Sequence, residues 1–378
     1  MAASRHNLLG LSLHQLSEFA ERLGEKRYRG KQLFEWLYAK GAESFADMTT
    51  LSKATRERLE ESACIEHVAI ASQHQSHDDA TTKFLVTLHD GLNVESVLIP
   101  PRIAFRSGDA ENDDEQRRLT LCISSQAGCP LDCKFCATAT MGFLRNLTAG
   151  EIISQVLQIR KAAHRPITNI VFMGMGEPMM NYENVMTAVE ILISGLNIAA
   201  RRITISTAGW ADHIRRMADD GCKAKLAVSL HSAVDETRAM LMPINKKYNL
   251  DQLAASIEYY HATTKKRVTY EYIFFDGIND TEHEVARLIK FARRVPCKVN
   301  IIPFHSIAFT GVQGIGSQLR PSPKMNAIAD RLREANLSVF VRSNAGEDIA
   351  AACGQLVVKT ERQRARQTRI FDRTAVGQ

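Results

Sequence analysis

No stretch of this 378-residue chain is apolar over the roughly 20 residues that crossing a bilayer requires. Residues 1–15 also lack the apolar core of a signal peptide. These absences lead us to expect a cytoplasmic protein with no membrane partner. Charge of one sign is scarce as well: 48 Lys and Arg face 42 Asp and Glu, a formal net charge of +6. That modest excess still suits a polyanionic partner, the more so because a dense acidic stretch at 109–115 offsets basic charge elsewhere. Eight cysteines in a reducing compartment argue against a disulfide scaffold and for metal or redox chemistry. The remaining composition is that of an ordinary soluble enzyme. The chain is long enough for one large core and a small accessory domain.

Three of the cysteines share one loop, Cys129-Pro-Leu-Asp-Cys133-Lys-Phe-Cys136. Three thiolates this close can converge on one centre and leave a coordination position open. An iron–sulfur cluster accepts such ligation. Structural zinc usually takes four protein ligands, and no fourth Cys or His stands near in sequence, so His231 or His305 would have to arrive by folding. Buried, unliganded cysteines are the third possibility. An open iron has a use that the other two lack, because it can hold a small-molecule ligand.

Residues 8–64 read as helices. Leu13, Leu16, Ala20 and Leu23 recur at helical spacing, a second helix carries Leu33, Phe34, Trp36, Leu37 and Tyr38, and a third covers 52–62. Between the first two, Lys26-Arg27-Tyr28-Arg29-Gly30-Lys31 mixes basic residues with an aromatic, which suits a phosphate backbone or a solvated turn. A hairpin follows, 83–88 and 93–99 about the turn His89-Asp90-Gly91. From 121 onward, candidate strands at 121–125, 169–174, 202–207, 225–230, 269–275, 298–304 and 338–343 alternate with helices near 149–163, 183–193, 211–219, 250–264, 281–294 and 323–335. Repeated βα units imply a parallel sheet closed into a barrel or partial barrel, with its chemistry at the carboxyl ends of the strands. The stretch 306–321 exceeds a simple connection and is expected to be a mobile substrate loop. The basic tail 359–369 is expected to face RNA or solvent.

Gly174-Met-Gly176-Glu177-Pro178 follows the apolar run Asn169-Ile-Val-Phe-Met173. A dinucleotide fingerprint would need a third glycine where Met179 stands. With the cysteine loop upstream, the segment resembles the glycine–glutamate–proline element of the radical S-adenosylmethionine superfamily. There the open iron is chelated by the methionyl group and this element contacts the cofactor's amino group. Cys122, seven residues before Cys129, and Cys353, in Ala351-Ala-Cys-Gly-Gln-Leu356, narrow the resemblance. With Ser229-Leu-His231 and Met242-Pro-Ile-Asn-Lys-Lys-Tyr248, the chain closely resembles the RlmN/Cfr family of adenine methyltransferases acting on ribosomal RNA. The likeness is nearer to the C2-methylating branch than to the C8-methylating one, and it covers nearly the whole chain.

This resemblance implies an α/β fold, a partial (β/α)6 TIM-like barrel with a helical N-terminal accessory domain and a linking β-hairpin. The expected divisions are 1–75 (helical, RNA-binding), 76–120 (hairpin and acidic linker), 121–356 (barrel with the catalytic cysteine) and 357–378 (basic tail). It implies that Cys129, Cys133 and Cys136 hold a [4Fe-4S] cluster with one open iron. Gly176, Glu177, Ser206, Ser229, Leu230, His231 and His305 would line the S-adenosylmethionine site, His305 standing where the family often carries Asn. The resemblance further implies that two S-adenosylmethionine molecules are used per turnover, in the following way. One methylates Cys353, and the other yields a 5′-deoxyadenosyl radical that takes hydrogen from the S-methyl group. The methylene radical adds to adenine, Glu95 acts as proton acceptor, and Cys122 resolves the protein–RNA adduct to leave a Cys122–Cys353 disulfide. Implied partners are 23S rRNA, tRNA and an external electron donor such as a flavodoxin or ferredoxin, with the enzyme a monomer. Cys64, Cys222 and Cys297 have no partner motif and are taken as structural. A C8 methyltransferase, a cluster-carrying RNA-binding protein and a zinc RNA module are the alternatives.

Overall fold

The computed structural model describes residues 5–101, 118–342 and 345–358; the acidic stretch at 109–115 and the basic tail lie outside them. Two short strands, β1 (His6–Asn7) and β2 (Ala63–Cys64), pair in parallel around an N-terminal group of helices. The helix Leu13–Arg22 starts at a capping box, in which Ser12 accepts from Gln15 N and the Gln15 side chain accepts from Ser12 N. Leu16 and Phe19 of its buried face join Leu33, Phe34 and Leu37 of the next helical segment in one apolar cluster. The helix Arg29–Phe34 crosses close above it. A Cβ on Gly30 would lie 2.4 Å from the Ser17 Cα, so this glycine serves helix packing. The basic turn before it is partly neutralised, with Arg27 3.1 Å from Glu21 and Arg29 3.8 Å from Glu25.

Among the described residues the main sheet has ten strands. Its first three are antiparallel: β3 (Ala69–Gln75), β4 (Thr82–Thr87) and β5 (Asn93–Ile99). β4 and β5 form the expected hairpin, whereas β3 falls where the sequence reading ended a helical domain. Ala-Ile-Ala-Ser-Gln-His-Gln offers one large apolar residue, Ile70, and so little alternation to read. As the outer strand of the sheet it needs only one half-buried side.

β5 pairs antiparallel with β6 (Thr120–Cys122), and from β6 the sheet is wholly parallel. The order continues through β9 (Asn169–Phe172), β10 (Ile203–Thr207), β11 (Lys225–Ser229), β12 (Val268–Tyr272), β13 (Cys297–Ile301) and β14 (Val339–Val341). Helices Ala149–Ala163, Tyr182–Ser194, Ala211–Asp219, Leu250–Thr264, Glu282–Ala292 and Met325–Glu334 fill the six connections. This is the expected open (β/α)6 barrel followed by a seventh parallel strand. Ile205, Leu226 and Val228 are fully buried in its core, each contributing about 1.5–3 kcal/mol relative to exposure.

Two features near the cysteine loop were also not read from sequence. A small hairpin, β7 (Gln126–Gly128) with β8 (Phe143–Asn146), holds the cysteine loop between its strands. A seven-residue helix, Asp235–Leu241, was too short to show a period. Among the described residues the outer strands β3 and β14 do not pair, yet side chains bridge the gap beyond them. Asp79 Oδ2 accepts from Gly346 N and Asp348 Oδ2 from His77 N, both at 3.0 Å. The stretch 306–321, expected to be a mobile loop, contains a short helix, Ile315–Gln318. It lies close against the cysteine loop, where a Cβ on Gly316 would meet the Lys134 carbonyl oxygen at 2.7 Å.

Candidate active site

The ends of five parallel strands, β9 to β13, surround a cavity of about 150 Å³. Cys129, Cys133 and Cys136 form one wall, Gly176 and Glu177 another, and Ser206, Ser229 and His231 follow from the ends of β10 and β11. Cys353 enters from the far end of the chain. The cysteine loop is anchored at both ends: Cys129 N donates to Gly142 O at 3.0 Å and Lys134 N to Leu241 O at 2.9 Å. The three thiols touch the cavity but are otherwise deeply enclosed. Burial raises the pKa of each, to about 12 for Cys129 and well above the ordinary value for Cys133, where the neighbouring thiols add to it. Three mutually opposed thiols in a cavity are a donor set that a cationic iron–sulfur core satisfies. Among the described residues no three such side chains are close enough for a single metal ion. The residues present fit a [4Fe-4S] cluster.

Gly176 has φ +98°, and a Cβ there would meet Gln126 at 2.5 Å. Only glycine lets this turn approach β7 so closely. Gln126 Oε1 accepts from Glu177 N at 2.8 Å. Glu177 is buried, and burial raises its carboxyl pKa against the hydrogen bonds from Ala208 N (2.7 Å) and Met179 N (3.0 Å). Each oxygen keeps acceptor capacity for a ligand amine.

His231 adopts a left-handed backbone, φ +54°. Its Nδ1 accepts from Ile273 N at 3.1 Å, which leaves the proton on Nε2. Burial, and then the charge of Arg238, push its pKa down to about 3. It is therefore neutral throughout the physiological range and can offer one N–H. Leu230 is fully buried behind the wall. His305 is buried away from this cavity, its Nδ1 3.0 Å from Glu347 Oε1 without hydrogen-bond geometry. The structure thus gathers Gly176, Glu177, Ser206, Ser229 and His231 with the three cysteines but does not bring His305 to them.

Cys122 ends β6, beside the cavity rather than on its wall. Arg342, just past β14, links it to Cys353. Its Nη1 donates to Cys353 Sγ at 3.6 Å, and its Nη2 to Glu271 Oε1 at 3.0 Å and to Met173 Sδ at 3.5 Å. Burial works against the arginine's charge, but Glu271, Cys353 and Cys122 together outweigh it and raise its pKa. The sequence reading missed this pair. Glu271 offered a signal, as a lone carboxylate inside the apolar strand 269–275. We predict that Arg342→Met lowers unfolding stability toward the low end of the roughly 3–5 kcal/mol typical of broken buried pairs, because Glu271 is left without its cation. Adding Glu271→Gln should restore most of it. Urea melts of both variants test this, and equal loss in the double variant would refute the pairing.

Glu95, on β5, is buried behind the Cys353 segment. Its Oε1 lies 3.2 Å from Lys83 Nζ, and its Oε2 accepts from Val357 N at 2.9 Å. Burial raises its pKa, with Lys83 and Val357 N opposing. The same segment is tied to the cysteine loop by Ala137 N to Gly354 O (2.6 Å) and Thr138 Oγ1 to Leu356 O (2.7 Å). Cys353 is thus held between the hairpin and the cysteine loop.

Known proteins resemble this chain over most of its length. Residues 6–65 match the model of the ribosomal RNA large subunit methyltransferase N-terminal domain, and residues 123–289 that of the radical SAM superfamily. The chain is 45% identical over 365 residues to the probable dual-specificity RNA methyltransferase RlmN of Flavobacterium psychrophilum, covering 95% of this chain and 99% of that one. It is 41% identical over 362 residues to the dual-specificity RNA methyltransferase RlmN of Desulfotalea psychrophila, covering 93% and 94% respectively. The crystal structure of a radical SAM methyltransferase from Sphaerobacter thermophilus superposes with a TM-score of 0.80 at 38% identity, over 93% of this chain and 99% of that one.

Proposed function

Starting from the fact that the chain belongs to the RlmN family of radical S-adenosylmethionine RNA methyltransferases, we propose that it methylates C2 of an adenosine in 23S rRNA and of adenosine 37 in tRNA, with Cys353 as the methyl-carrying residue. The observation that carries this reading is the Cys353 thiol in the wall of the cavity that the three loop cysteines line. Binding alone would need no such thiol.

Cys129, Cys133 and Cys136 would hold a [4Fe-4S] cluster, which with bound S-adenosylmethionine supplies a carbon radical able to take hydrogen from a methyl group. The residues around it do the rest. Glu177 and His231 offer an acceptor and a neutral N–H donor to the cofactor, and Ser206 and Ser229 offer hydroxyls from adjacent strand ends. The Cys353 thiolate accepts a methyl group, since only the ionised form is nucleophilic, and the Arg342 guanidinium stabilises that anion. C2 of adenine is electron-poor, so polar transfer to it is unfavourable and a radical route answers the difficulty. Cys122 resolves the adduct: its thiolate bonds to the Cys353 sulfur as the bond from that sulfur to carbon breaks, and the carbon keeps the bonding pair and takes a proton to become the new methyl group. The resulting disulfide needs an external two-electron reductant. Glu95 is the acceptor for the proton lost from the ring, a role that requires Val357 N to release its carboxylate. The adenine must leave its stack to enter, and exposed Tyr28 with the basic turn of the N-terminal helices is a surface for the RNA.

The test is methylation by anaerobically reconstituted protein with protein-free 23S rRNA or tRNA, a strong reductant and methyl-labelled S-adenosylmethionine. Nucleoside mass spectrometry should show 2-methyladenosine from both RNAs. A product of 8-methyladenosine would move the assignment to the sister chemistry. Cofactor cleavage without any methylated nucleoside would make the substrate class wrong.

A further inference from the structure

Arg238, on the short helix Asp235–Leu241, is completely buried. Its Nε donates to Leu230 O at 3.1 Å and its Nη1 to Asn245 Oδ1 at 2.8 Å. Its Nη2 donates to Ala208 O at 2.6 Å and to Ser229 O at 3.3 Å. Every acceptor is neutral, and among the described residues no carboxylate forms an ion pair with it. A charge taken out of water is costly unless a counter-charge meets it. Asp235 approaches only through Asn245, whose amide donates to Asp235 Oδ1 at 2.7 Å.

The other group within reach that carries negative charge, once a cluster is ligated, belongs to the cysteine loop. Leu241, one turn after Arg238, accepts the hydrogen bond from Lys134 N, the residue after Cys133. Cys133 lies against the apolar cluster that contains Leu241. Burial lowers the Arg238 pKa to about 10, and Cys133 followed by Asp235 opposes that fall. Three thiolates outweigh the charge of an oxidised cubane core, so the ligated cluster is an anion, and its reduction adds another electron. A fixed cation beside it favours that electron.

We propose that Arg238 is the counter-cation of the [4Fe-4S] cluster, raising its reduction potential while its guanidinium holds the Ala208, Ser229 and Leu230 carbonyls at the cofactor's strand ends. This rests on the cluster reading above. Arg238 touches no reacting atom and acts through charge and position.

The experiment is a redox titration of anaerobically reconstituted holoprotein without RNA, followed by electron paramagnetic resonance. Arg238→Gln should lower the equilibrium constant for one-electron reduction at least tenfold, a potential about 59 mV more negative. Arg238→Lys, which keeps the charge, should stay near wild type. Asp235→Asn removes the opposing charge and should move the potential upward. Opposite signs for the Gln and Asn variants are not expected of a purely structural role. If Arg238→Gln leaves the potential unchanged, or Arg238→Lys falls equally far, the proposal is overturned. If Arg238→Gln does not fold, the Asp235→Asn shift decides: upward supports the counter-cation, no change overturns it. Wild-type protein that takes up neither iron nor sulfide fails the cluster reading itself, and that result is visible before any variant is titrated.

Discussion

Cys353→Ala is expected to abolish methyl transfer to RNA, a loss of at least about 10⁴-fold, of the size seen when a covalent nucleophile is removed. Iron content and S-adenosylmethionine binding should be unchanged. The reason lies in how the segment is held. Its ties to Ala137, Thr138 and Glu95 run through the Gly354 carbonyl, the Leu356 carbonyl and the Val357 amide. None uses the Cys353 side chain, so the loop stays closed over the cavity without the sulfur. Arg342 loses one weak acceptor and keeps Glu271. Nucleoside mass spectrometry, with iron assay and equilibrium dialysis of the cofactor, checks the three statements together. Methylated nucleoside produced at near wild-type rate by this variant would remove Cys353 from the reaction.

Cys133→Ser should remove the cluster, and with it all methylation, while leaving the fold in place. The loop's main-chain anchors at Gly142 and Leu241 do not depend on the thiol. Iron and sulfide content and the absorbance near 400 nm are the readouts. The wild type should also load its cluster less tightly as pH falls. The metal-free thiols have pKa values raised by burial and by one another, so they keep their protons to high pH, and ligation must displace them. Lowering the pH therefore favours the metal-free state. Chelator competition across a pH series measures this. Affinity independent of pH would mean that the thiols are already ionised before the cluster binds.

Some of this was legible because it is local. The spacing of Cys129, Cys133 and Cys136 confines three thiols to one loop whatever the fold. The alternation of β-branched runs with helical periods placed all seven parallel strands. The Asp90-Gly91 turn marked the hairpin β4–β5. β3 escaped because an outer strand with one large apolar residue has no pattern to read. The helix Asp235–Leu241 escaped because seven residues are two turns, too few to establish a period. His305 was assigned to the cofactor site from motif position, yet the chain after β13 carries it to the Glu347 side of the molecule.

The sequence by itself determined the chemistry available to this protein: a three-thiolate loop, a glycine–glutamate turn after a strand, two further cysteines, and a barrel order that puts strand ends together. Covalent spacing and side-chain periodicity act over a few residues, and a single chain displays them directly. Only the tertiary structure decided which distant groups meet. Glu95 grips the amide of Val357 across 262 positions. Arg342 joins Glu271 to Cys353, and Arg238 stands buried beside the cysteine loop with neutral partners alone. Those contacts depend on how the parallel sheet turns its strand ends toward one centre, and on the cost of leaving a buried charge unanswered. Neither is written in the spacing of residues along the chain.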